Sequence, residues 1–344
     1  MGRMAGAEHS IPLRRAGRSG LHLPVISLGL WQNFGVANPE ADQRDLVWRA
    51  VDRGVVHLDL ANNYGPPAGA AEANLGRMLP DLPRDELIIS TKAGFRAGVG
   101  PYQEGGSRRY LLSSLDASLR RLGLDYVDIF YSHRYDANTP LAETMDALAT
   151  AVSSGRALYA GISSYSAIRT REAVAAAHDV GLRLAVHQAS YSMINRWIEK
   201  PAAGSSESLL DVIGDTDLGL LVFSPLAQGM LTERYLAGIP ADSRAARDQS
   251  LKRSFLSEEN LSHVRTLAAL ARERGQSLAA MALAWAARDP RVSSVVIGAR
   301  TTQQFDENLA ALAGPGFSDA ELAVIDALPV DTGINIWGSR SSDL

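Results

Sequence analysis

Four side chains of different chemistry cluster at the ends of three consecutive apolar runs of this sequence. One run ends in His57-Leu-Asp59-Leu-Ala-Asn-Asn-Tyr64-Gly, the next in Ile-Ile-Ser-Thr-Lys92, and the third in Ile-Phe-Tyr-Ser-His133-Arg134. An acid, a phenol, an amine and an imidazole suit hydride addition to a carbonyl. That reaction leaves negative charge on oxygen, which needs a proton and hydrogen-bond donors. An unperturbed tyrosine, with a pKa of about 10, is a slow proton donor near neutrality. An ammonium about 4 Å away, at an effective dielectric of about 20, is worth about 4 kcal/mol, which bounds how far it lowers the phenol. Asp59 is expected to hold Lys92 charged and aimed, and to cancel part of that effect. Tyr64 is then the expected proton donor, with His133 orienting the carbonyl and donating to its oxygen.

Taken singly, three of these residues have a plain structural explanation. Asp59 can cap the turn that follows its strand, Tyr64 can pack as a loop aromatic on Pro66 and Pro67, and His133 can be a satisfied structural histidine. Lys92 is harder to dismiss, because lysine is rarely buried without a partner. It closes an apolar strand, so it should point into an interior and need a counter-ion, and Asp59 is the natural candidate.

The elements that must position these groups repeat along the chain. Eight short apolar or β-branched runs occur at 25–30, 55–60, 87–92, 127–133, 158–163, 184–188, 220–224 and 294–298. Amphipathic helical patterns lie between them. One spans 45–53 with Leu46, Val47, Ala50 and Val51 on one face and Gly54 at the C-cap, a second carries Leu141, Met145, Leu148 and Val152, and a third Leu278, Met281 and Trp285. Strand–helix alternation implies parallel strands, and eight repeats predict a closed (β/α)₈ barrel of the α/β class. The Gly-x-Gly-x-x-Gly spacing of an open dinucleotide-binding sheet is absent. Residues 11–15 and 21–23 flank Ala16-Gly-Arg-Ser-Gly20, which predicts a β-hairpin placed to cap the bottom of the barrel. Ser318 with Glu321 is a capping box for a helix running to about residue 328. The tail at 335–344, with Trp337, is expected to fold back over the barrel, and residues 1–10 to be disordered. No linker or low-complexity stretch divides the 344 residues, so one domain is expected.

Composition narrows the partners. A hydrophobic share of 46%, a charged share of 21% and a net charge of −4 suit a globular protein with a full core and leave no electrostatic footprint for nucleic acid. The chain has no cysteine, which excludes disulfides, thiolate nucleophiles and Cys-ligated zinc. No apolar leader or membrane span is evident, and a cytoplasmic location is expected. A metal site is not expected either: His57, His133 and His187 sit on different strands with no His-x-His pair.

The strand-end motifs resemble the aldo-keto reductase superfamily, whose Asp/Tyr/Lys/His tetrad they match residue by residue. Ser-Leu-Gly-Leu-Trp31-Gln-Asn-Phe-Gly, Asp-Ile-Phe-Tyr-Ser-His133-Arg-Tyr-Asp, Gly-Ile-Ser163-Ser-Tyr-Ser and Ser224-Pro-Leu-Ala-Gln-Gly resemble in particular the branch that holds bacterial L-glyceraldehyde-3-phosphate reductases and β subunits of voltage-gated potassium channels. The resemblance implies an NADPH-dependent reductase. Ser163 and Gln188 would hydrogen-bond the nicotinamide amide and Phe223 would stack on its ring, with Trp31 and Asp59 nearby. Ser224, Leu226 and Gly229 would line the pyrophosphate path, and Arg234, Ser243 and Arg244 would meet the 2′-phosphate. Gly298, Arg300, Gln304, Glu307 and Asn308 would hold the adenine end. Barrels commonly bind phosphate after strands seven and eight, where Arg234, Arg244 and Arg300 lie, which favours NADPH over NADH. This sequence departs from the family's usual wording at Ala189, at Ser192 and in the loop 95–105.

Trp31, Tyr64 and His133 are expected to frame a narrow pocket for a small aldehyde: L-glyceraldehyde 3-phosphate, methylglyoxal or another short carbonyl. Arg96, Arg108, Arg109 and Arg134 are candidates to meet a substrate phosphate, although Arg108 and Arg109 also read as solvated first-turn residues of a helix. Two other classes compete. A Schiff-base aldolase would use Lys92 with a lowered pKa. A channel-subunit-like redox-sensing binding protein would carry the same tetrad, but the short segment ahead of the hairpin is expected to leave no room for a channel-blocking peptide. A homo-oligomer, tetrameric or larger, is implied by the resemblance alone.

Overall fold

The computed structural model of the protein describes residues 11–201, 204–240, 243, 245–246 and 251–333. Strands β1 (Leu13–Arg15) and β2 (His22–Pro24) pair antiparallel, with Leu13 opposite Pro24 and Arg15 opposite His22. Eight parallel strands follow: β3 (Ile26–Gly29), β4 (His57–Asp59), β5 (Ile88–Ala93), β6 (Val127–Ser132), β7 (Ala157–Ser163), β8 (Leu184–Ser190), β9 (Gly219–Phe223) and β10 (Val292–Ile297). They pair in chain order, and β10 returns onto β3 to close the barrel. Every expected apolar run overlaps one of these strands, although β5, β7, β8, β9 and β10 extend one or two residues beyond theirs.

Helices α1 (Glu40–Asp52), α2 (Ala70–Met78), α3 (Arg108–Leu122), α4 (Leu141–Ser153), α5 (Ala167–Asp179) and α6 (Leu209–Asp215) each follow a strand. Both α7 (Glu258–Glu273) and α8 (Leu278–Ala286) lie between β9 and β10, and α9 (Thr302–Ala310) and α10 (Asp319–Asp326) come after β10. Helix α1 starts earlier than its apolar spacing predicts. Its first turn is polar and carries Glu40 and Asp42, which favour the positive end of the helix dipole without adding to the apolar face. A Ser or Thr side chain accepts from the backbone N–H three residues on at the start of α3 and of α5 through α10. Ser318 and Glu321 form the expected capping box. The expectations for residues 1–10 and for the tail at 335–344 lie outside the described residues.

Strand side chains alternate between the barrel's interior and the helix-covered outside, and the interior is divided by polarity. Ser27, His57, Asp59, Ser90, Lys92 and Ser294, from β3, β4, β5 and β10, carry the polar groups and are all buried. From the other half, Ile129, Tyr131, Val186 and Leu221 pack with Ala16, Leu21 and Leu23 of the hairpin. The hairpin therefore plugs the N-terminal end of the barrel, as its apolar residues require. Arg14 fastens it by donating to the carbonyls of Ala287 and Val292, both at 2.8 Å. Gly161 makes room within the apolar half: a Cβ there would stand 2.7 Å from the Tyr131 ring.

The plug fits closely enough to test. A Cβ on Gly219, at the start of β9, would lie 2.7 Å from Ala16 Cα, a backbone atom that no rotamer change can move. Gly219→Ala is expected to push the hairpin off the barrel and lower the unfolding free energy by about 1–3 kcal/mol. An unchanged urea midpoint would show that the hairpin does not seal the barrel as described.

Candidate active site

Register brings the strand-end groups together. Asp59 pairs across from Ser90, and Lys92 from Tyr131, so the C-terminal ends of β4, β5 and β6 present Asp59, Lys92 and His133 side by side. Lys92 is fully buried, and its Nζ donates to Asp59 Oδ2 at 2.6 Å and to the Leu60 carbonyl at 2.8 Å. Asp59 Oδ1 accepts from Ser90 Oγ at 2.7 Å and from Gln188 Nε2 at 3.0 Å. The second of these bonds crosses the lumen from β8. Burial pushes the Asp59 carboxyl up, but Lys92, His57 and the bonds from Lys92 and Ser90 outweigh it and hold the group below its usual value. Burial draws Lys92 down more strongly than Asp59 raises it.

Tyr64, half-buried in the loop after β4, stands above this pair with Lys92 Nζ 5.1 Å from its ring centroid. Its ring lies 5.8 Å from that of His133, edge-on, and 6.4 Å from that of Trp31. The phenol differs from the sequence-based expectation of a lowered pKa. Burial, and then the charge of Asp59, raise it well above 10. Tyr64 consequently stays protonated across the neutral range. His133 is buried, and burial together with Lys92 and Arg134 pushes it well below its ordinary value, so the imidazole is neutral. Its Nδ1 has no hydrogen-bond partner among the described residues.

A polar chain runs beneath these groups. Ser294 Oγ donates to the Pro24 carbonyl (2.6 Å) and touches Ser27 Oγ (2.5 Å). Ser27 meets His57 Nδ1 (2.7 Å), His57 Nε2 meets Ser90 (3.0 Å), and Ser90 reaches Asp59. His57 is drawn down to about 4 by burial, with Asp59 opposing and Lys92 assisting, so it is neutral at pH 7. Each of the four linking residues then carries one hydrogen, while both ends of the chain only accept, so one of the five contacts holds none. The longest contact, His57 Nε2 to Ser90, is the natural place for that gap, because Ser90 keeps its charge-assisted bond to Asp59. Sequence reasoning considered His57 only as a metal ligand and missed Ser27, Ser90 and Ser294. The signal was present: His57 and Ser90 stand two residues before Asp59 and Lys92, on the same strand faces.

A cleft of roughly 750 Å³ opens over the tetrad. Of the residues singled out from sequence, it is lined by Trp31, Asp59, Tyr64, His133, Gln188, Phe223, Ser224, Leu226, Gly229, Arg234, Gly298, Arg300 and Gln304, while Lys92 lies just beneath. Others stand outside this wall. Ser163 is buried one residue before Ser164, which does line it. Ser243 is buried and accepts from the Ala246 N–H. Glu307 is exposed and takes a bond from Gln303 on the solvent side of α9, and Arg244 lies outside the described residues. Asn308 is buried one helical turn beyond Gln304, with its Nδ2 unpartnered among the described residues. The wall also includes Arg96, one of the sequence candidates for a substrate phosphate, and Asn33, Asn63, Phe95 and Gln228, which sequence reasoning did not place there. Ser164, Ser224, Ala227 and Gln228 all have φ between 46° and 61°. Such strain, about 1–3 kcal/mol per residue, persists where surrounding structure enforces it, commonly at ligand sites.

A model of the aldo/keto reductase family matches residues 25–329. L-glyceraldehyde 3-phosphate reductases of Escherichia coli O157:H7 and of Escherichia coli strain K12 are each 51% identical over 335 residues, covering 95% of this chain and 95% of theirs. A probable voltage-gated potassium channel subunit beta of Oryza sativa subsp. japonica is 38% identical over 305 residues, covering 87% of this chain and 90% of its own.

Two outcomes follow from the buried charges. Asp59→Asn strands the Lys92 ammonium and is expected to destabilise the fold by about 3–5 kcal/mol, whereas Asp59→Leu combined with Lys92→Met recovers much of that loss. Denaturant titration reads both, and equal losses would deny the pairing. Burial also draws His187 down to about 4, against the bond from its ring to the Tyr165 carbonyl. Unfolded histidine titrates near 6.5, so the unfolded chain binds more protons between about pH 6.5 and 4. The stability contributed by neutral His57 and His187 is therefore complete above about pH 6.5 and lost as pH falls towards 4, on the order of 3 kcal/mol for each. His187→Gln should flatten that slope, and an unaltered pH profile would refute the assignment.

Proposed function

This chain belongs to the aldo/keto reductase family, and from that premise we propose that it reduces L-glyceraldehyde 3-phosphate to the alcohol with NADPH, with methylglyoxal and other short aldehydes as secondary substrates. The observation that carries the reading is the convergence of four groups at one barrel mouth: the Tyr64 ring 5.8 Å from that of His133, with Lys92 Nζ 5.1 Å from the Tyr64 ring centroid and 2.6 Å from Asp59 in a buried pair. The E. coli relatives bear the name of that substrate.

The cleft residues suit a nicotinamide dinucleotide. Phe223 and Gln188 border the space next to the tetrad, and Arg234 and Arg300 provide cations farther along the same cleft. The unpartnered amide of Asn308 suits a hydrogen-bond acceptor at the adenine end. When bound, the reduced nicotinamide supplies the hydride that adds to the carbonyl carbon. The protein's part is to complete the reaction at oxygen. His133 donates a neutral N–H to the carbonyl oxygen and orients it, and Tyr64 gives up its phenolic proton as negative charge develops there. A phenol held high by burial is a weak acid, so it releases its proton only to the strongly basic alkoxide that hydride addition creates. The resulting tyrosinate then recovers its proton from solvent.

The Schiff-base alternative is less well supported. Although Lys92 has a lowered pKa, its ammonium is fully buried and engaged with Asp59 and Leu60, away from any carbonyl in the cleft. A channel-subunit-like role draws only on the lower identity to the rice protein.

Saturable NADPH oxidation is expected with L-glyceraldehyde 3-phosphate, falling by roughly 10²–10⁴-fold in Tyr64→Phe. Arg234→Ala and Arg300→Ala should raise KM for NADPH more than for NADH. Full turnover by Tyr64→Phe, or covalent trapping of substrate on Lys92 by borohydride, would overturn the reading.

A further inference from the structure

Four arginines near the strand ends are candidates to meet a substrate phosphate, and the structure separates them. Arg108 turns away to Asp146 and Thr150 of α4. The Arg109 guanidinium stacks 4.4 Å from the Tyr102 ring centroid. Arg134 is largely buried and sits 5.4 Å from the Phe95 ring centroid, on the chain segment that follows His133. Arg96 alone of the four lines the cleft that holds Tyr64 and His133.

Arg96 is carried by a closed loop. Gly105 N–H donates to the Gly94 carbonyl at 2.8 Å, and Ala97 N–H to the Gln103 carbonyl at 3.0 Å. These two bonds set Glu104 across from Arg96, and the pair bonds through Arg96 Nη2 and Glu104 Oε1. Glu104 also faces a second cation, with Arg134 Nη2 3.9 Å from its Oε2. Arg134 additionally feels the charge of Asp136, whose carboxylate is occupied by the N–H groups of Gly106 and Asn138 and by the Thr139 hydroxyl. Phe95 links this cluster to the tetrad, since its ring meets that of His133 edge-on at 4.7 Å.

We propose that Arg96 is the specificity residue for a phosphomonoester on the substrate, and that Glu104 is an exchangeable carboxylate which keeps Arg96 oriented and passes to Arg134 when the phosphate arrives. This inference rests on the phosphorylated-aldehyde reading above. Both members of the Arg96–Glu104 pair are well exposed, at 56% and 40%, so water screens the pair and holds it weakly. A phosphate offers the guanidinium fork two parallel charge-assisted bonds and a larger charge, which favours the exchange. Arg134 sits close enough to receive the released carboxylate, so no charge is stranded. An unphosphorylated aldehyde leaves the pair intact and gains nothing from it.

The test is the ratio of kcat/KM for L-glyceraldehyde 3-phosphate to that for L-glyceraldehyde, measured with NADPH on the full chain. Arg96→Leu is expected to lower the ratio at least tenfold, through KM for the phosphorylated substrate. Arg96→Lys keeps the charge without the fork and should fall between. Glu104→Gln should raise the ratio by freeing Arg96. Inorganic phosphate should compete with L-glyceraldehyde in the wild type and lose potency in Arg96→Leu. A wild-type ratio near one would sink the phosphorylated-substrate reading itself. A wild-type preference that survives Arg96→Leu, or is matched by an equal rise in KM for NADPH, would sink the assignment of Arg96 alone. A lowered ratio in Glu104→Gln would overturn the exchange.

Discussion

An ammonium in the middle of a protein is tolerable only where its charge is answered at once, and Lys92 makes that demand on the whole barrel. Desolvating an ion pair is expensive, and attraction offsets it only when the remaining hydrogen-bonding positions are filled. Here they are filled from several directions. The Leu60 carbonyl takes a second Nζ hydrogen, Ser90 bonds Asp59 from the neighbouring strand, and Gln188 reaches it across the lumen from β8. Strands β4 and β8 are not neighbours in the sheet, so that last bond exists only because the sheet closes on itself. The ion pair depends on barrel closure, and the polar half of the interior is arranged around the pair.

The same constraint sets the chemistry available at the mouth. Burial holds Tyr64 as a neutral phenol, with the charge of Asp59 adding to the effect, and holds His133 as a neutral imidazole, with Lys92 and Arg134 assisting. The floor of the cleft thus presents hydrogen-bond donors, with the charges concealed below them. Donors fixed in a site shielded from water meet developing negative charge without having to reorganise. Guanidinium groups line the same cleft, at Arg96 after β5 and at Arg234 and Arg300 after β9 and β10. The non-glycine residues with positive φ at Ser164, Ser224, Ala227 and Gln228 show where the backbone is bent to shape the wall between them.

Much of this is legible in the sequence. Eight apolar runs alternating with helical spacing specify parallel strands, and Asp59, Lys92 and His133 at run ends fall at one mouth as a matter of topology. The hairpin and the Ser318 capping box were also readable, because glycine-rich turns and caps are local signals. Less legible was the start of α1, whose polar first turn carries no apolar period. The service residues Ser27, His57, Ser90 and Ser294 were visible only as alternate positions on strands whose other members had already drawn notice.

What the sequence determined by itself was the order of elements and the identity of the side chains at each strand end, since periods of 2 and 3.6 are properties of neighbouring residues. Tertiary structure decided the rest. It brought Arg96, and not Arg108, Arg109 or Arg134, to the cleft wall, left Ser243 and Glu307 outside that wall, and joined Gln188 to Asp59. It also reversed the expected direction for Tyr64, because a pKa follows from dielectric and from distances between residues far apart in the chain. Those quantities come into being only when the barrel closes and water leaves its interior.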